Sequence, residues 1–195
     1  MDIKKAKGTS DTTQSDHIER KIIPKNADPT RTHLNRVLVE YPDGVHGRDE
    51  AIAHRLNTAG IRRKITHDQV RVVRVVLSGT HEDMMNIQEK GELDEWRNDS
   101  IQWLQATFGK DNVVAAHLHM DEKTPHLHAT VVPIVTGERI RRKREGEKKY
   151  ETKSGPRLSA DDVMRRTKLH EYQNSYAAAM KPVSYTHLTL PTKLE

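Results

Sequence analysis

Apolar residues in this chain fall into short periodic runs separated by turn-forming clusters. The run Val-Arg-Val-Val-Arg-Val-Val-Leu within residues 69–77 is rich in β-branched residues and is the clearest predicted strand. Alternation also predicts strands over 32–41, closed by Pro42-Asp-Gly44, and over 112–119. A helix is predicted over 49–58, with Ile52 and Leu56 at i, i+4 and Gly60 just past its end. Thr80 is the predicted N-cap of a short helix over 82–90. A longer helix over 92–107 turns Leu93, Trp96 and Leu104 inward and stops at Gly109. Trp96 and Trp103 stand seven apart and are assigned to the core rather than to base stacking. Ser159-Ala-Asp-Asp162 opens a final helix with Leu169, Tyr172, Tyr176 and Ala179 along one side. Residues 1–16 read as a polar entry segment, and 24–29 as a turn. Strands and helices are interleaved without a repeat, which predicts a mixed α/β domain.

Charge changes the picture more than size does. The 195 residues carry a net charge of +5, and 31% of them are charged. Such a basic, polar chain favours a polyanionic partner such as nucleic acid. Cysteine is absent, which excludes disulfides and thiolate metal sites. No apolar run approaches the ~20 residues needed to span a bilayer, and no secretory segment follows Met1, so the expected location is the cytoplasm.

The densest chemistry lies in His119-Met-Asp-Glu-Lys-Thr-Pro-His-Leu-His128, three imidazoles and two carboxylates around a turn signal. His126 and His128 are spaced i, i+2, so on a strand both rings leave one face. Pro125 sits where proline is tolerated, at a strand start. If 120–125 closes a hairpin, with its second strand running to about 135, His119 comes opposite that pair and Glu122 sits at the tip. Three converging neutral imidazoles suit a divalent metal. His117 shares the face by parity.

A second cluster precedes it: His17-Ile-Glu-Arg20, then Asn26-Ala-Asp-Pro-Thr-Arg-Thr-His-Leu-Asn35. Together these motifs resemble the Mob/Pre plasmid mobilisation relaxases, the MobV branch of the HUH endonuclease superfamily, with Bacteroides-like proteins especially similar. The superfamily is named for a His-hydrophobe-His pair such as His126-Leu-His128. The resemblance covers about residues 5–180 and implies an α+β sandwich, a mainly antiparallel five-stranded sheet flanked by helices. It implies His119, His126 and His128 as ligands of a divalent ion, Mn or Mg, with Glu122 in or beside that shell. His17 matches the nucleophile, and Arg20 the arginine one turn beyond it. Asn26, Asp28, Arg31, His33 and Asn35 match the motif around the active site, with Arg31, His33 and Asn35 expected to reach DNA. Tyr41 is a rival nucleophile, since tyrosine does this work elsewhere in the superfamily.

The implied function is nicking and rejoining of one DNA strand at an origin of transfer, through a covalent protein–5′-DNA intermediate. The substrate is a single-stranded nick site beside a hairpin, and other mobilisation proteins are further expected partners. The metal would polarise phosphorus, and Arg20 or Arg31 would clamp a phosphate oxygen. An HUH replication initiator or transposase, or a non-catalytic DNA-binding fragment, is the alternative. The basic run 139–149, including Arg141, Arg142 and Lys143, holds seven basic against two acidic residues and is a candidate phosphate contact. The relaxase domain is placed at 1–182, with its first strand expected to be clipped or its start codon misassigned. Residues 183–195 resemble a translated sequencing adaptor, so the natural chain is expected to continue past Pro182.

Overall fold

The computed structural model describes residues 1–6, 12–137 and 155–180. In chain order these form β1 (Asp2–Ala6), α1 (Thr12–Ile18), β2 (Arg36–Val37), α2 (Arg48–Thr58), β3 (Val72–Leu77), α3 (His81–Glu89) and α4 (Leu93–Phe108). Then come β4 (Val113–His119), β5 (His126–Val131), β6 (Ile134–Val135), β7 (Arg157–Leu158), α5 (Ala160–Val163) and α6 (Arg166–Ala179). Five strands form one sheet in the order β1-β3-β5-β4-β2, with antiparallel neighbours throughout. The expected five-stranded antiparallel sheet is therefore present, and the β4–β5 hairpin holds its centre.

The sequence of β5, His-Leu-His-Ala-Thr-Val, shows how the sheet sorts its faces. Leu127, Ala129 and Val131 join Val73, Val75 and Leu77 of β3 in a core covered by α3, α4 and α6. Trp96, Trp103, Phe108, Tyr172 and Tyr176 fill it, so both tryptophans are core residues as expected. The alternate residues, His126, His128 and Thr130, leave the opposite face. There α2 packs Ala51 and Ile52 against Val72, Val114 and Val132. A register shift between Val113 and Ala115 reconciles the two faces of β4, whose seven residues are all buried.

Thr80 caps α3 through a reciprocal box: its hydroxyl accepts from Asp83 N–H, and the Asp83 carboxylate accepts from Thr80 N–H. Removing the hydroxyl leaves an N-terminal amide unsatisfied, so Thr80→Ala lowers stability by about 1 kcal/mol. Urea denaturation will read that loss, and metal binding will be unchanged because the cap touches no histidine of the hairpin. Gly109 ends α4 at φ 89°, a conformation open to glycine.

Several expectations need correction. Residues 2–6, read as polar entry and as the place of a clipped strand, form β1 and pair with β3. As an edge strand it buries fully only Ala6, so it has no strong alternation to read. Of the strand predicted over 32–41, residues 32–34 belong to a 3₁₀ helix at Pro29–Leu34, only Arg36–Val37 form β2, and 38–41 are irregular. Asp28 starts that turn by accepting from Thr30 N–H, with Pro29 following. The second hairpin strand stops at Val131 rather than 135, because Pro133 cannot donate to the ladder. Beyond it β6 pairs with β7 in a separate two-stranded sheet. The final helix is divided into α5 and α6. Among the described residues no helix is long and apolar enough to cross a membrane.

Candidate active site

The hairpin register sets His119 opposite His126 and His117 opposite His128, so four imidazoles leave one face of two adjacent strands. Three of them converge. His119, His126 and His128 each bring a ring nitrogen within 4.8 Å of the others. The Nε2 atoms of His126 and His128 lie 3.1 Å apart. Burial depresses the His119 pKa to about 3, helped by the Arg20 charge, and depresses His128 to about 2, helped by the neighbouring rings. His119 and His128, held neutral by burial, and the adjoining His126 ring offer a nitrogen set that fits a divalent transition metal better than Mg, which prefers oxygen. His119 Nδ1 is buried without a hydrogen-bond partner among the described residues.

His17 completes the group from the last turn of α1. Its ring meets His119 edge-on at 6.5 Å between centroids and His128 at 6.2 Å. Burial and then the Arg20 charge hold its pKa below the ordinary value, so the ring is a neutral imidazole with a free lone pair. His117 stays outside the ligand set. It is buried on the same face, its pKa lowered by burial, within the fields of Glu19 and Arg48.

Arg20 differs from its expected part. It is the only non-glycine residue with positive φ among those described, at 56°. The left-handed turn costs about 1–2 kcal/mol and swings the guanidinium onto the hairpin tip. There Nε and Nη2 donate to the two oxygens of Asp121 at 2.9 and 2.7 Å, and Nη2 also to Glu122 at 2.8 Å. With its side chain only 6% exposed, Arg20 is engaged with carboxylates rather than open to a phosphate. Arg31 makes no side-chain hydrogen bond to a described residue and is half-buried. His33 is exposed beside it. Asn35 is turned inward, donating to Asp121 and accepting from Met120 N–H, so it pins the hairpin instead of reaching out.

Glu122 accepts from Arg20 and from Asn26, and lies 3.8 Å from His126 Nε2. It borders the triad. Asp121 is the residue that motif reasoning passed over. It is fully buried and collects Arg20, Asn35 and Thr32, while its carbonyl accepts from Asp28 N–H. Burial alone would raise its pKa, yet the Arg20 and Asn35 hydrogen bonds hold it down at about 2. Both oxygens are thereby occupied, so the alternative grouping of His119, Asp121 and Glu122 is a poorer metal cage than the three histidines. Its adjacency to the histidine motif was the available signal. Glu19, Arg48 and Thr130 were also missed: Arg48 is fully buried, and its Nε donates to Thr130 Oγ1. Tyr41 Oη donates to Glu19, and burial pushes the phenol pKa well up, which keeps it protonated. Arg141, Arg142 and Lys143 lie outside the described residues, as does the tail from 181 onward.

The depressed histidines make a pH prediction for the metal-free protein. Below 6.5 the unfolded rings take up protons, whereas folded His119 and His128 resist until about 3 and 2. The unfolded state then binds more protons, so stability falls as pH drops through that window. Asp121 adds a second loss between 3.8 and about 2. Urea midpoints in chelator will be lower at pH 4.5 than at 7.5, and equal midpoints would show that the rings are not buried neutral.

The chain matches the family described as plasmid recombination enzyme, Mob/Pre, over residues 1–187. It is 31% identical over 138 residues to a plasmid recombination enzyme type 3 of Staphylococcus aureus, covering 68% of this chain and 32% of that one. A plasmid recombination enzyme of Bacillus thuringiensis is 31% identical over 121 residues, covering 62% and 23%. The chain thus spans about a third or less of the length of these relatives. A solved relative is the MobM relaxase domain (MOBV), Mn-bound and in complex with plasmid pMV158 oriT DNA. It superposes with a TM-score of 0.74 at 20% identity, covering 100% of this chain and 92% of that one. Fold and sequence agree, and the chain belongs to the Mob/Pre family of plasmid recombination enzymes.

Proposed function

We propose that this domain, taken as residues 1–182, is a metal-dependent relaxase that nicks and rejoins one DNA strand at an origin of transfer. The observation that carries the reading is the placement of neutral His17 edge-on to two members of a three-imidazole site. When bound at His119, His126 and His128, a divalent ion such as Mn supplies charge neutralisation on the scissile phosphate. The work of the chain's own residues follows from their contacts. The His17 lone pair attacks phosphorus, the P–O bond to the 3′-oxygen breaks, and a phosphoramidate conserves the bond for rejoining. Arg31 holds a non-bridging oxygen. Asp121 and Glu122 fix Arg20, which in turn holds the end of α1 against the hairpin tip. MobM is bound to oriT DNA, and the basic charge of this chain suits the same class of partner. A cytoplasmic location, and partners among other mobilisation proteins, belong to the same reading.

The test is cleavage of an end-labelled single-stranded oligonucleotide carrying the nick site, with Mn and with chelator. The reading expects a nick only with metal and a 5′ product bound to protein. DNA binding without cleavage would instead make this a recognition module.

A further inference from the structure

The ligand His119 and the helix that carries His17 are joined by one hydrogen bond. His119 Nε2 lies 2.9 Å from the backbone carbonyl of Ile18, the residue after His17. A carbonyl oxygen only accepts, so Nε2 carries the proton and the lone pair of the neutral ring resides on Nδ1. That Nδ1 is buried and has no hydrogen-bond partner among the described residues, an arrangement that is costly unless something else takes the lone pair. His126 is committed in the opposite sense. Its Nδ1 donates to the Thr124 carbonyl at 2.9 Å, which puts the ring's lone pair on Nε2. The 3.1 Å between His126 Nε2 and His128 Nε2 places both nitrogens close enough that they would hold one ion between them.

We propose that the Ile18 carbonyl is a positioning group: it commits His119 to bind the metal through Nδ1, and so makes metal loading and the seating of His17 one event. A metal on Nδ1 withdraws electron density from the ring and strengthens the Nε2–H bond to Ile18. The end of α1 is then held on three sides. His119 holds Ile18, and Arg20 holds the hairpin tip. Glu19 is the third anchor: its Oε1 accepts from Arg48 N–H at 2.7 Å and from Tyr41 Oη at 2.9 Å, tying α1 to the start of α2. The inference rests on the metal reading of the triad and does not require His17 to be the nucleophile.

The probe is cadmium-113 alone, added to the ¹⁵N-labelled protein. Nitrogen–cadmium coupling will show one ring bound through Nδ1 and two through Nε2, and amide exchange over residues 15–20 will slow on metal addition. Three Nε2-bound rings, or unchanged exchange, would overturn the coupling and leave the metal site standing. No coupled ring at all would remove the metal reading and the inference with it. A second arm uses Glu19, which contacts none of the ligands. Glu19→Ala should weaken cadmium binding, by less than the about tenfold that follows loss of a ligand's direct partner, and Glu19→Gln, which keeps the acceptor oxygen, should restore it. Wild-type affinity in Glu19→Ala would show that α1 and the metal are independent.

Discussion

His17→Ala protein will bind its oligonucleotide and its metal as the wild type does, and will leave the DNA uncut. The three metal-site histidines are all on the β4–β5 hairpin, and His17 is on α1, so its loss leaves that ligand set whole. Under the proposed function, what goes is the lone pair that attacks. Tyr41 cannot take over, because its hydroxyl donates to Glu19 and is held protonated. Loss of the nucleophile from a cooperating group costs on the order of a millionfold in rate. A denaturing gel of labelled DNA reads the cleavage, and a native gel reads the binding. Equal cleavage by the variant would remove His17 from the chemistry.

His128→Ala will fail earlier, at the metal. The His128 pKa is depressed to about 2 by burial and by the rings around it, and its Nε2 lies 3.1 Å from that of His126. Alanine leaves two imidazoles and an opening that water will fill, so affinity for Mn falls and saturation needs far more metal. Several kcal/mol of charge stabilisation depend on the ion, and each 1.36 kcal/mol is tenfold, so cleavage falls by about a thousandfold. Calorimetric titration with Mn and the cleavage rate at fixed metal will fall together. Retained affinity with lost cleavage would mean that His128 works on DNA instead.

The two expected failures differ in what they spare, and that contrast separates nucleophile from ligand. It also explains what could be read from sequence. The hairpin was legible because strand parity and a turn fix side-chain direction locally: His126 and His128 must share a face, and the register brings His119 opposite. The β3 run was legible because it is central and crowded with valine. Residues 32–34 fall in the Pro29–Leu34 turn rather than in the strand that alternation predicts over 32–41, because the Asp28–Pro29 start signal prevails locally. Asp121 was missed because its importance lies in partners 86 to 101 residues away, Asn35 and Arg20. Arg20, one of the two arginines expected as a phosphate clamp, is directed to carboxylates by its left-handed turn. Sequence spacing specifies which residues share an element; it does not specify which distant partner claims their donors.

The central claim is that His17 becomes covalently bonded to DNA. The direct measurement is mass spectrometry of the trapped protein–DNA adduct after proteolysis, with the modified residue located by fragmentation. The account predicts a phosphoramidate on His17, in the peptide that also contains Ile18 and Glu19. A phosphotyrosyl bond at Tyr41, or an adduct on any other residue, would contradict it.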